Sequence, residues 1–154
     1  MSIRRPIPPV LTVVLLMAFV TASDASAGSR TRCSIRGTRS GEVLVGTENN
    51  DRICARAGDD VVHALGGDDV VRGARGNDVI EGDSGDDRLF GGSGDDTLEG
   101  NRGRDVLRGG PGDDRIDVTD GAAHDRAIGG PGTDTCIVNG ADRARGCESV
   151  TTIG

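Results

Sequence analysis

Carboxylates recur along this chain at a fixed interval. Counted in units of nine from Gly37 to Asp117, the sixth residue is always acidic: Glu42, Asp51, Asp60, Asp69, Asp78, Asp87, Asp96, Asp105 and Asp114. Like charges brought close by a repeat repel one another, so stacked carboxylates call for a cation between them. Calcium suits them best, because it accepts roughly six to eight oxygen ligands at flexible angles, including backbone carbonyls. Magnesium demands a stricter octahedron, and zinc prefers the nitrogen and sulfur donors that these segments do not offer.

The rest of each unit can position such a site. Position eight is aliphatic in all nine units: Leu44, Ile53, Val62, Val71, Ile80, Leu89, Leu98, Leu107 and Ile116. Position four is Gly from Gly58 through Gly112, with Ser40 and Asn49 in the first two units. Gly-rich positions one to four can form a tight turn, and positions seven to nine a short strand with one side chain inward. A unit with one reliable aliphatic cannot fold alone. Two units per coil would close a flattened turn of eighteen residues and stack units n and n+2 in two parallel sheets. One edge would then carry Asp60, Asp78, Asp96 and Asp114, and the other Asp51, Asp69, Asp87 and Asp105. After Asp117 the register slips by two residues, read as insertion of Val118-Thr119, and Asp125 and Asp134 resume the acidic position. The unit around Asp125 is degenerate, with Ala123 and Ala127 at its Gly and aliphatic positions.

The run Gly91-Gly92-Ser93-Gly94-Asp95-Asp96-Thr97-Leu98-Glu99 and its neighbours resemble the haemolysin-type calcium-binding nonapeptide repeat of the RTX family, G-G-x-G-x-D-x-U-x. The resemblance implies an all-β, right-handed parallel β-roll, with several calcium ions held by position-six aspartates and by carbonyls of positions two to five. Carried over residue by residue, it selects Asp60, Asp69, Asp78, Asp87, Asp96, Asp105 and Asp114. With them come the turns of Gly58, Gly67, Gly76, Gly85, Gly94, Gly103 and Gly112. The register adds Asp51 and Asp134 as candidate ligands. The pattern is imperfect at its ends: Ser40 and Glu42 depart from it, and Arg104 and His124 replace the usual acidic or polar residue at position five.

Around this body the chain divides into residues 1–27, 28–36, 37–137 and 138–154: a signal peptide, an N-terminal cap, the roll, and a C-terminal cap or tail. Arg4-Arg5, the apolar run Val10 to Val20 and Ala25-Ser26-Ala27 have the order of a secretory leader, with cleavage expected after Ala27. The apolar run is shorter than the ~20 residues of a membrane span. The expectation is a secreted, extracellular protein without a membrane span. Cys33, Cys54, Cys136 and Cys147 are an even number that suggests two disulfides. Three pairings are open; Cys33–Cys54 and Cys136–Cys147 are favoured because each pair is close in sequence and would pin one end of the roll.

Loss of residues 1–27 removes Arg4, Arg5 and Asp24 and moves the formal net charge from −7 to −8. The arginines are scattered along the chain and Lys is absent, so no basic cluster of nucleic-acid type stands out and nucleic-acid binding is disfavoured. With Phe90 its only aromatic beyond the leader, the chain lacks the material of an ordinary core. It should be disordered until a ligand neutralises it. No Gly-x-Ser-x-Gly, His-Glu-x-x-His, Cys-x-x-Cys or Gly-Lys-Ser/Thr motif occurs, so no enzyme is expected. His63 and His124 are expected to be exposed polar side chains. The leading reading is a secreted calcium-binding protein that folds on its ions. The alternative is a structural or adhesive surface protein in which calcium is only a staple, with a cell-wall or polysaccharide partner that the residues do not identify.

Overall fold

The computed structural model describes residues 32–120 and 124–154. The expected leader and its cleavage after Ala27 lie outside the described residues, as does Ala123. Among the described residues all regular structure is β, in two parallel sheets of seven strands each. Sheet A holds β1 (Ile35–Arg36), β3 (Arg52–Ala57), β5 (Val70–Arg75), β7 (Arg88–Ser93), β9 (Val106–Arg108), β11 (Arg126–Ile128) and β13 (Arg143–Arg145). Sheet B holds β2 (Val43–Thr47), β4 (Val61–Leu65), β6 (Val79–Glu81), β8 (Thr97–Glu99), β10 (Arg115–Asp117), β12 (Thr135–Asn139) and β14 (Ser149–Ile153). Strands alternate between the sheets, and each pairs only with the strands two before and two after it.

The register is the expected one. Ile53 lies beside Val71 and Val71 beside Leu89 in sheet A, while Val62 lies beside Ile80 and Ile80 beside Leu98 in sheet B, eighteen residues apart each time. The fold is thus a parallel β-solenoid with two units per coil. The interval widens to twenty where Leu107 pairs with Ala127 and Ile116 with Cys136. The insertion was expected at Val118-Thr119, but Val118 keeps the register place of Gly100, since the Gly100 N–H donates to the Asp117 carbonyl and the Val118 N–H to that of Ile137. The two extra residues fall after it, before Asp125, and Val118 turns inward, 1% exposed. Both sheets continue beyond residue 137, because β13 pairs with β11 and β14 with β12.

Alternation along each short strand explains the core. Position eight points between the sheets, and from Ile53 to Ile116 every such side chain is fully buried. Ala127 and Cys136 take the same place in the last units, also fully buried. The core is therefore two facing columns of position-eight side chains, with Ala55, Ala64, Val118 and Val138 added beside them. A Gly is indispensable where coils touch through backbone: Gly85 has φ +132°, and a Cβ there would overlap the Gly67 carbonyl oxygen one coil earlier. Disulfides close both ends, Cys33 with Cys54 and Cys136 with Cys147. His63 is half-buried, not free on the surface, because its Nδ1 lies 2.7 Å from Glu81 Oε2, its register neighbour; His124 is exposed.

Leu98 is the only buried residue of its strand, so few side chains stand ready to relax into a vacancy there. Leu98→Ala is expected to cost about 2–5 kcal/mol, read as a lower melting temperature in calcium-containing buffer. A melting curve unchanged from the parent would contradict the single-file core.

Candidate metal centre

The turns that join the sheets place the position-six carboxylates one above another along the two edges. Their spacing is that of adjacent strands, about 4.8 Å. The aspartates among them are buried, Asp60, Asp69, Asp105, Asp125 and Asp134 at 0% exposed, Asp78, Asp87 and Asp96 at 1%, Asp114 at 2% and Asp51 at 6%, whereas Glu42 of the first unit is half-buried. Each carboxylate reaches back one coil. On one edge the Asp60 N–H donates to Asp78 Oδ1 (2.9 Å), the Asp78 N–H to Asp96 Oδ1 (2.8 Å) and the Asp96 N–H to Asp114 Oδ1 (2.9 Å). On the other, the N–H groups of Asp51, Asp69 and Asp87 donate to Oδ1 of Asp69, Asp87 and Asp105 at 2.7–2.9 Å.

The second oxygen of these carboxylates has no partner. Oδ2 of Asp60, Asp69, Asp78, Asp87, Asp96, Asp105, Asp114, Asp125 and Asp134 is buried and receives no hydrogen bond. Buried polar atoms are otherwise almost always paired, so a regular column of exceptions marks the place of something else. Where position one of the unit is glycine, Oδ2 lies against it. A Cβ placed on Gly82 would lie 2.5 Å from Asp87 Oδ2 and 2.9 Å from the Gly100 carbonyl oxygen, so glycine at position one keeps that corner clear. Ala55 and Ala64 hold the same register position before Asp60 and Asp69, with buried methyls.

Such a set of hard oxygens fits calcium. Among the described residues no three Asp, Glu, His or Cys side chains converge on one point, so an ion at Oδ2 must complete its shell with turn carbonyls. Asp51 is different, because its Oδ2 already accepts from the N–H and the hydroxyl of Thr47, both at 2.8 Å, and its Oδ1 from Ser34. The column ends there in protein hydrogen bonds.

Three features were not singled out from the sequence. Asp125 is equivalent to the other orphaned carboxylates; its place in the register was the available signal. Asp142 and Glu148 extend the two ladders, accepting from the N–H groups of Asp125 (3.0 Å) and Asp134 (2.7 Å). A second ladder of opposite sense runs through the exposed position-five residues, where Asp59 Oδ1 accepts from the Asn77 N–H and Asn77 Oδ1 from the Asp95 N–H. It tightens the turns around the buried column.

Burial raises the pKa of these carboxyls. Loss of solvent, opposed by the N–H bond and reinforced by neighbouring carboxylates, lifts Asp60, Asp69 and Asp114 to about 6, Asp96 to about 7 and Asp87 to about 8. Asp105 rises to about 7 and Asp125 to about 6 for the same first cause, and Asp78 rises as well. An ionised carboxylate is thus disfavoured at this place unless a cation joins it.

A β-solenoid with glycine turns and inward-facing aspartate columns is the architecture of a calcium-type repeat protein. The model of the RTX calcium-binding nonapeptide repeat (4 copies) matches residues 36–71, 63–98 and 90–123, together more than half of the chain. The chain belongs to that family. No curated protein matches it.

The raised values carry a sign. A carboxyl whose folded value exceeds the ~3.9 of the unfolded chain holds its proton more tightly when folded. That contribution is complete below about pH 4 and is lost as pH climbs through about 6 to 8. In chelator, melting temperature and far-ultraviolet β signal should therefore fall between pH 4 and 8, and millimolar calcium should abolish the fall. A flat profile in chelator would contradict the buried columns.

Proposed function

We propose that this is a calcium-binding protein whose roll assembles on several ions lodged between successive turns, and that it works outside the cell. The observation that carries the reading is the unpartnered Oδ2 column. The strongest ligands are Asp78, Asp87, Asp96, Asp105, Asp114 and Asp134, whose units have glycine at position one, with the turns of Gly76, Gly85, Gly94, Gly103 and Gly112 supplying carbonyls. Asp60 and Asp69, with the turns of Gly58 and Gly67, belong to the same columns but sit beside Ala55 and Ala64. Asp51 serves as a cap more than as a ligand.

The role follows from where the energy comes. Each unit buries one aliphatic side chain, and each coil also buries two carboxylates. The ion turns the second term from a cost into a contribution, so binding energy becomes folding energy. Millimolar calcium outside the cell matches weak sites of this kind, and the low calcium inside would leave the chain unassembled. Two disulfides and the leader-like first residues support export. A binding role is favoured over catalysis, since the buried carboxylates offer no open cleft to a substrate.

Circular dichroism during a calcium titration of the oxidised protein tests the reading. The expected result is an unordered spectrum in chelator, a cooperative change to β signal at millimolar calcium, and a much weaker response to magnesium. Identical spectra throughout would end the proposal. Asp78→Asn with Asp96→Asn sharpens it, since the amide can keep the Oδ1 hydrogen bond and remove the charge. The pair should bind fewer calcium ions and fold at higher calcium, yet be no less ordered than the parent in chelator at pH 8. Unchanged metal stoichiometry would contradict the assignment.

A further inference from the structure

Eight of the fifteen arginines among the described residues, scattered in the chain, are gathered by the coil onto one face. Sheet A strands carry no acidic residue, whereas those of sheet B carry Glu81, Glu99 and Asp117 with Arg115 as their single arginine. On the outer side of sheet A, position seven is Arg52, Arg88, Arg126 and Arg143, and position nine is Arg36, Arg72, Arg108 and Arg145. All are exposed except the half-buried Arg52.

Their order is a checkerboard. Down the position-seven column Arg52 neighbours Val70, Val70 neighbours Arg88, Arg88 neighbours Val106 and Val106 neighbours Arg126. Down the position-nine column Arg72 neighbours Phe90, Phe90 neighbours Arg108, and Ile128 lies between Arg108 and Arg145. Every coil thus presents a guanidinium, alternately left and right, and no two face each other directly until Arg126 meets Arg143. That arrangement avoids like-charge pairs across strands and lays Arg72 over the Phe90 ring, 5.4 Å from its centroid. Two shallow hollows adjoin where the pattern closes, and Arg126 and Arg143 line both. Among the described residues none of these eight arginines is in a salt bridge; the recorded pairs are His63–Glu81, Arg104–Asp86 and Arg115–Asp117.

We infer that the outer face of sheet A binds a linear acidic polysaccharide, lying along the stack with its carboxylate or sulfate groups on the arginine zigzag. The strip has the shape for one thin chain. It is about 7 Å wide between positions seven and nine and about 29 Å long over seven strands. Acidic turns such as Asp59, Asp68, Asp86 and Asp95 border it on both sides, exposed. They would repel the broad anionic surface of a membrane or a duplex and leave room for a single strand of charge. Single-stranded nucleic acid is disfavoured because its bases need aromatic platforms, and Phe90, the one aromatic among the described residues, is already covered by Arg72. The apolar squares, Val70, Val106 and Ile128, suit the nonpolar faces of sugar rings, and guanidinium groups pair in bidentate fashion with carboxylate and sulfate oxygens.

This inference rests on the calcium-assembled roll only in that the strands must be stacked for the zigzag to exist. The test uses the full oxidised chain in millimolar calcium, with heparin and hyaluronan as probes and neutral dextran, single-stranded DNA and phosphatidylserine vesicles as comparisons. At least one acidic glycan should bind, weakening with salt, with dextran unbound and DNA and vesicles weaker. Arg88→Ser/Arg108→Ser/Arg126→Ser should lose about tenfold or more in affinity. The charge-matched Arg39→Ser/Arg102→Ser/Arg115→Ser should lose far less. Val106→Glu, which keeps every arginine, should also weaken binding, and it decides the matter should the triple variant fail to fold. Equal losses in both triples, tighter binding of DNA or vesicles, or no glycan binding would overturn the proposal. Glycan binding by a roll that is equally folded in chelator would leave this proposal standing and defeat the calcium-driven one.

Discussion

Everything in this molecule depends on a carboxylate that is half satisfied. From Asp60 to Asp134 each inward aspartate gives Oδ1 to the backbone of the coil before it and leaves Oδ2 buried with no donor. The first contact fixes the height and orientation of each turn. The second oxygen, repeated at strand spacing along both edges, is a line of negative charge withdrawn from water, which no apolar core of this size could offset. In the function proposed here, a cation that takes its remaining ligands from turn carbonyls would resolve the conflict and tie each coil to the next.

The remainder of the fold follows from stacking. Since each strand contributes one position-eight side chain, with only Ala55, Ala64, Val118 and Val138 added to them, the core is narrow along its length and offers no place for a large hydrophobic cluster. Stability is then close to a sum over neighbouring coils, and the ends are the weak points. The chain treats them with covalent and local devices. A disulfide joins Cys33 to Cys54 at one end and Cys136 to Cys147 at the other, and Ser34 and Thr47 hydrogen-bond both oxygens of Asp51. Stacking also multiplies every outward side chain. On the edges this produces the acidic columns, and on sheet A the arginine checkerboard, where an intervening Val, Phe or Ile separates the charges.

Much of this was legible in the sequence. The nine-residue period, the acidic sixth position and the aliphatic eighth sufficed for a two-sheet solenoid, its register and the edge on which each aspartate falls, because a period-two strand and a glycine turn leave few other solutions. The disulfide partners followed from proximity to the two ends. Other features needed three dimensions. Arg52, Arg72, Arg88 and Arg108 are sixteen to twenty residues apart in the chain and form a surface only after coiling, so reading them as dispersed missed the face they make. Asp142 and Glu148 continue the ladders at irregular spacings of seventeen and fourteen, which no nine-residue count would find. Asp51 matches the repeat by type, and only the hydroxyl of Thr47 reveals that its outer oxygen is occupied.

A crystal structure of the protein grown in calcium, with anomalous diffraction to distinguish the ion from water, reads the orphaned oxygens directly. The expected result is a calcium peak at about 2.3–2.6 Å from Oδ2 of Asp87, Asp96 and Asp105, completed by carbonyl oxygens of the glycine turns. Finding those oxygens hydrogen-bonded to water or to protein donors, with no ion beside them in an intact roll, would contradict the account.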